Sequence, residues 1–466
     1  MQDAMEGLAA NPSLPERLFE PLAEMGDADV RHILTLRDVL TELQARILLA
    51  YDDVDAYSLI ARGKVPWAEV PRHDTSMLLA AAQAGIAPDT VVRELAVHHD
   101  PEVRGELASY VTGLPSDVLA TLARDADPAV AAQAAETSEL ATDLSEELAR
   151  HPHVVVRVSL AVNSRVPPAV LATLLADGGT PAPTRCAACH RRTEGCSNHM
   201  PGIRRIRMAA AANPAVPPVG LTDFLDAQEA QIPAEIAERT DLPATFHARL
   251  ATHPTAFVRE TLARNPSISE ALILQLTEDP DPDVRLAVAM NTSVPLSYLT
   301  ALAGRRRLPA EPLPRILTAT EAELYELAAS RVAQIRALAA VHPDLPQTLV
   351  DRLAVDPDIG VARKIAPSPK LTGHQLTDMA DRHGPPVYGA IAQNPGCPAA
   401  VLRRMARDTG SARKALRAVA AHPASPPDVI ETLLTNPDPR VIHAAAAHPA
   451  LPVETMERLL AGLAAS

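Results

Sequence analysis

The chain has 466 residues, of which 47% are hydrophobic and only 2% aromatic, with 44 prolines and a formal net charge of −14. So few aromatics and so many helix-breaking prolines argue against the dense core of a compact enzyme. The acidic balance argues against a surface built throughout to grip phosphates, and no apolar run reaches the roughly 18 residues needed to span a bilayer, so no membrane partner is expected.

The opening stretch "MQDAMEGLAANPSLPERLFEPLAE" lacks the basic head and apolar run of a secretory leader, so a cytoplasmic chain is expected. Ala4 and Val30 stand 26 residues apart, the first trace of a period that fades through residues 1–76, which read as degenerate N-terminal repeats or a cap. From Met77 it sharpens. "VRETLARNP" from Val258, "VRLAVAMNT" from Val284, "IRALAAVHP" from Ile335 and "VIHAAAAHP" from Val441 share one frame. Its first residue recurs at Val103, Val130, Val156, Ile206, Ile232, Val258, Val284, Ala310, Ile335, Val361, Val387, Ala415 and Val441. Apart from a jump of 50 after Val156, each step is 25 to 28 residues. Repeats therefore fill 77–177 and 203–466, the latter ending in a C-terminal cap, and about seventeen units fit the whole chain.

Each unit reads as two short helices. The first carries the frame, and the second places leucines four apart on one face, as in Leu171 and Leu175, Leu272 and Leu276, and Leu349 and Leu353. A capping box is expected over Ser267 to Glu270, and Asp344 with Pro346 should cap another start. Asp279-Pro280 and Asp356-Pro357 should end their helices. Helices this short are marginal alone, since nucleation costs more than a few hydrogen bonds return. The expected fold is an all-α solenoid in which the leucine stripes of successive units form one core.

These motifs resemble the leucine-rich repeat variant family, whose repeats carry V-R-x-x-L-A-x-N-P followed by L-P-x-x-x-L-x-x-L-A and an Asp-Pro. The resemblance covers residues 77 to 466 well and 1 to 76 weakly. It implies an α-helix alternating with a short, tighter 3₁₀-like helix, wound into a right-handed superhelix. Some members also join their repeats to a cysteine-rich iron–sulphur module. Here the cysteines lie inside the array and among histidines, a departure that leaves the type of centre open.

Three of the four cysteines fall in "RCAACHRRTEGCSNHM", residues 185 to 200. Asp177 precedes its marker Ile206 by 24 residues more than Asp279 precedes Val284, so residues 178–202 are either a loop inserted between units or a unit whose core is exchanged for a metal site. Cys186-x-x-Cys189-His190 matches haem attachment, but the absence of an export signal speaks against it. Cys186, Cys189, Cys196 and His199 supply three thiolates and an imidazole, the set a structural zinc ion prefers. His190 could replace His199, and an iron–sulphur cluster is the alternative cofactor. Four protein ligands leave no open position, so such a site would hold a fold and not catalyse.

Arg185, Arg191, Arg192, Arg204, Arg205 and Arg207 crowd this segment against the single carboxylate of Glu194, a patch for phosphate or an acidic protein, or merely a solvated face. The frame arginines Arg104, Arg157, Arg207, Arg259, Arg285 and Arg336 should pair with aspartates of the neighbouring turn, such as Asp279 or Asp281, and lock unit to unit. Asn213, Asn265, His342, Asn394, His422 and His448, each followed by proline, should bond loose carbonyls at helix ends and not form a metal ladder. No phosphate loop, metalloprotease helix or nucleophile elbow occurs, and Cys397 is assigned no chemistry. The resulting expectation is a non-enzymatic protein-interaction scaffold, a helical-repeat solenoid stapled by the structural metal knuckle. The alternatives are nucleic-acid binding through the arginine-rich segment and an iron–sulphur redox or sensor role.

Overall fold

The computed structural model of the chain describes residues 2–137, 140–177, 199–227, 229–303, 313–408 and 410–464. Every regular element among them is helical. The chain divides into two compact units, one of Ile60–Tyr298 and one of Met1–Leu59 with Leu299–Ser466. Each is a helical-repeat stack.

In the unit Ile60–Tyr298 the frame helices form a row. Pro101–Tyr110 packs on Pro128–Thr137, and the row continues through Val154–Val162, His199–Ala212, Gln231–Glu238, Ala256–Arg264 and Pro282–Val288. The second helices Asp89–Ala96, Ser116–Ala123, Thr142–Ala149 and Pro168–Asp177 form a parallel row behind them. Most second helices are α; Pro218–Phe224 is 3₁₀. The core lies between the rows. Val258, Leu262, Ile273 and Leu276 are fully buried there, each contributing about 1.5–3 kcal/mol by leaving water. Since one repeat can bury these groups only against its neighbours, Leu262→Ala would cost about 2–5 kcal/mol and loosen the adjoining units with it.

The expected register holds. Val258, Val284 and Ile335 are each the third residue of their helices, Ala256–Arg264, Pro282–Val288 and Ala333–Ala339, and all three are buried. Met77 and Val103 are half-buried, and Ala310 lies outside the described residues. Leu349 with Leu353 and Leu171 with Leu175 face the core as expected. Leu272 is half-buried, and Ile273 takes its place beside Leu276.

Two cap assignments change. Ser269, not Ser267, caps Glu270–Thr277, accepting from the amide of Leu272 at 3.4 Å without a capping box; Ser267 instead donates its amide and hydroxyl to Asn265 Oδ1. Pro346 is itself the cap residue of Gln347–Ala354, with no side-chain cap bond, while the Asp344 amide donates to His342 Nδ1 at 3.1 Å. The reciprocal boxes form at Thr41 with Gln44, Thr320 with Glu323 and Thr372 with Gln375.

In the other unit the frame helices run Ala333–Ala339, Ile359–Ile365, Pro385–Ile391, Arg413–Ala420 and Pro439–Ala446. The row then passes to the start of the chain: Gln2–Ala10 packs on Pro439–Ala446 and Ala28–Thr35 packs on Gln2–Ala10. The second row follows, with Glu16–Met25 against Val453–Ala464 and Arg17 bridging Glu457 at 2.9 Å. Gly7 makes the approach possible, because a Cβ there would stand 2.5 Å from the His443 carbonyl oxygen and 2.6 Å from the Ala446 Cβ. Among the described residues no helix is long and apolar enough to cross a membrane.

Candidate functional site

The polar side chains of the frame are spent between repeats. Asn265 donates its amide to the carbonyls of Ala237 at 2.7 Å and Arg239 at 2.8 Å, both at the end of the preceding frame helix, and accepts the Ser267 amide at 2.9 Å. Asn291 does the same to Ala263 and Asn265, and Asn394 to Ala366 and Ser368. Histidine fills the position with one donor. His422 Nε2 meets the Asn394 carbonyl at 2.7 Å and His448 Nε2 meets the His422 carbonyl at 2.8 Å, while each Nδ1 accepts the amide two residues on. These side chains cap the neighbouring repeat's helix in place of their own, and the bond crosses the seam. Buried backbone carbonyls left without donors would cost about 1–3 kcal/mol each, so the ladder both satisfies and registers the stack.

Two members of this ladder escape the sequence frame because they are arginines. Arg239, 6% exposed, donates to Asn213 O at 3.0 Å and Val216 O at 2.9 Å and pairs with Asp241. Arg37 donates to Ala9 O at 2.9 Å and Asn11 O at 2.7 Å. Spacing from the marker locates both, but the residue type gives no signal. At both sites the N–H groups of one nitrogen, Nη1, stand in for the two of the asparagine amide.

A second set of bonds ties successive turns. Arg259 grips both carboxylate oxygens of Asp279, at 2.8 and 3.0 Å, and donates back to the His253 carbonyl at 2.7 Å. Arg104 with Asp125 and His98, and Arg336 with Asp356 and Ser330, repeat the clamp. The hydrogen bonds from Arg104 hold the Asp125 carboxyl below the usual range, against the opposing effect of burial. Burial pushes Asp279 and Asp356 up, and their arginine and backbone hydrogen bonds more than offset it. Arg285 reaches the Asp279 and Pro280 carbonyls, and Arg207 those of Leu175 and Ala176. Arg157 is buried at 2% exposure. The expected pairing with aspartate thus occurs at three of the frame arginines, and carbonyls take two others.

Cys186, Cys189, Cys196, the alternative ligand His190, and Arg185, Arg191 and Arg192 lie outside the described residues; His199 is described only as the first residue of helix His199–Ala212. Arg205 is exposed and Arg204 and Arg207 half-buried along that helix. Among the described residues no group of three or more His, Cys, Asp or Glu could hold a metal ion. The flanks of the segment are informative. Asn213 donates to Ala161 O at 2.8 Å and Asn163 O at 3.1 Å, the bonds that Asn265 makes to its preceding repeat. The repeats on either side of the segment are therefore immediate neighbours, with no unit missing between them. Cys397 is buried, and loss of hydration raises its thiol pKa to about 12, which suppresses the reactive thiolate.

With this geometry established, the chain is similar to a solved structure described as "a leucine-rich repeat variant with a novel repetitive protein structural motif". The identity is 21%, the TM-score 0.32, and the match covers 54% of this chain and 87% of that one. No family model and no curated protein matches the sequence. The relation to that structure is distant, and the repeat assignment stands on the recurring hydrogen bonds of the chain itself.

Proposed function

We propose that the chain is a non-enzymatic protein-interaction scaffold. One observation carries this reading: the recurring polar side chains, which in an enzyme would converge on a pocket, are committed repeat by repeat to carbonyls and turns of their neighbours. What remains is a pair of extended helical faces, the geometry with which repeat stacks engage partner proteins.

The inserted segment is assigned a structural zinc ion held by Cys186, Cys189, Cys196 and His199. The donor set supports it, since three thiolates and one imidazole at these short intervals satisfy a tetrahedral ion. When bound, zinc supplies a cross-link and no open coordination position. Because Asn213 already joins the flanking repeats, the ion orders the inserted segment itself and is not needed to staple the stack.

Metal analysis of the purified protein beside Cys186→Ser and His199→Ala tests the second part. One zinc per chain, lost in both variants, is expected; iron with visible absorbance would replace zinc by an iron–sulphur centre. The scaffold itself is tested by affinity capture and reconstitution with a purified partner. A reproducible turnover abolished by a single side-chain change would overturn it, and sequence-independent binding of DNA or RNA lost with the arginines around residues 185–207 would turn the reading toward nucleic acid.

A further inference from the structure

On the second-helix side, surface arginines are paired across repeats: Arg93 with Asp117 at 2.9 Å, Arg124 with Glu147 at 2.8 Å, Arg403 with Asp428 at 2.8 Å and Arg404 with Asp381. Apart from the clamp of Arg336 on Asp356, the frame helices of the unit Met1–Leu59 with Leu299–Ser466 break this habit. Five in succession, Ala333–Ala339, Ile359–Ile365, Pro385–Ile391, Arg413–Ala420 and Pro439–Ala446, contain no carboxylate at all. They carry Arg363, Lys364, Lys414, Arg417, Arg440 and His443 on the side away from the core, in a chain of net charge −14.

Register places these groups on one face. Lys414 and Arg440 each immediately precede the buried markers Ala415 and Val441, while Arg363, Arg417 and His443 each stand two after theirs, three apart along a helix and so on the same side. Lys414 and Arg440 are exposed. Arg417 is half-buried, and its Nε, itself buried, has no hydrogen-bond partner among the described residues. Nearby Arg413 reaches Asp438 only at 3.9 Å, and Arg363 donates to the Pro386 carbonyl at 2.9 Å. Gly389, Ala418 and Ala444 keep the surface between the cations low. The face ends where Gln2–Ala10 sets Asp3 and Glu6 at the next register.

We infer that this face binds an extended acidic segment of a protein partner, an inference that rests on the scaffold reading. Packed helices stand about 8–10 Å apart, and an extended peptide advances roughly 3.3 Å per residue. A carboxylate at every third position therefore meets one helix of the row after another, finding cations on Ile359–Ile365, Arg413–Ala420 and Pro439–Ala446 and none on the intervening Pro385–Ile391, and guanidinium forks match carboxylates in charge and geometry. Nucleic acid is the poorer occupant. The one aromatic on the five helices, Tyr388, is 3% exposed, so bases find no stacking platform.

The test titrates the full chain into a fluorescein-labelled peptide of five Glu-Gly-Ser triplets, read by anisotropy at low and physiological salt. Saturable binding that weakens with salt is expected, with Lys414→Glu and Arg440→Glu each weakening it roughly five- to tenfold. Both positions are exposed, and unchanged circular dichroism will show that folding is intact. No binding at low salt, equal binding by the reversed-charge variants, or tighter binding of a fifteen-nucleotide oligo-dT would each overturn the inference. A purified partner that binds the intact chain and Lys414→Glu alike, while the peptide does not bind, would remove this inference and leave the scaffold reading standing. Peptide binding without any recoverable protein partner would leave the face's chemistry intact and remove the scaffold reading.

Discussion

The Asn213 side chain donates to the Asn163 carbonyl at 3.1 Å although 50 residues separate them. In the regular repeats the equivalent bond, such as Asn291 to Asn265, spans 26. The same contact survives both spacings because the helices that carry it are adjacent in either case.

Exchanging residues 178–203 for the two residues 280–281, which follow Asp279 in a regular turn, should therefore leave the stack folded. The exchange restores the ordinary interval between Asp177 and Ile206. The expected outcome is unchanged helical circular dichroism and a thermal midpoint within about 5 °C of the parent, as a surface-loop change allows. Loss of cooperative melting would mean that the segment supplies a core the neighbours lack.

Asn291→Ala should lower stability by about 2–4 kcal/mol, because it strands two carbonyls and one amide in a fully buried seam. His448→Asn should cost far less than His448→Ala, since asparagine does the same work at Asn265 and Asn394. Urea unfolding followed by circular dichroism ranks the three; equal losses for His448→Asn and His448→Ala would refute a hydrogen-bonding role.

The arginine clamps predict an acid-sensitive term. Asp125, Asp279 and Asp356 are all held below their ordinary values in the folded chain. Their stabilisation is thus complete above the unfolded carboxyl range near pH 4 and is lost as pH falls through the lower folded values. Thermal midpoints measured from pH 6 down to 3 should fall more for the parent than for Asp125→Asn, which lacks one of the clamps at every pH. Parallel curves would show that the pair contributes nothing.

Gly7→Ala should separate the first repeat from the last, because the added methyl meets the His443 carbonyl and Ala446. Backbone cannot yield as a flexible side chain does. Limited proteolysis should then cut preferentially near residues 50–60, and Asn11 should lose its bonds to Ala446 at 2.9 Å and His448 at 2.8 Å, read as faster amide exchange in residues 445–450. An unchanged cleavage pattern would contradict the close approach.

The interval of 26, the two-helix unit, most of the buried markers and three of the six expected arginine clamps were legible in the sequence, because short-range spacing fixes which side of a helix a residue occupies. The cap residues were harder. Ser267 and Ser269 stand two apart in the same chemistry, and only the turn geometry decides which hydroxyl meets an amide. Arg239 and Arg37 were invisible as ladder members because their chemistry differs from that of asparagine and only the carbonyls in front of them reveal the role. The proposed zinc ligands Cys186, Cys189, Cys196 and His199 rest on residue type and spacing alone.

By itself, then, the sequence determined a periodic all-helical chain whose helices are too short to persist singly. Tertiary structure decided which helices become neighbours: that 163 meets 213 across the insertion, that 11 meets 448 across the whole chain, and that the helices of Lys414 and Arg440 pack side by side. The physical reason is that periodicity specifies a face within a unit, whereas adjacency between units depends on where distant carbonyls, methyl groups and charges arrive in space.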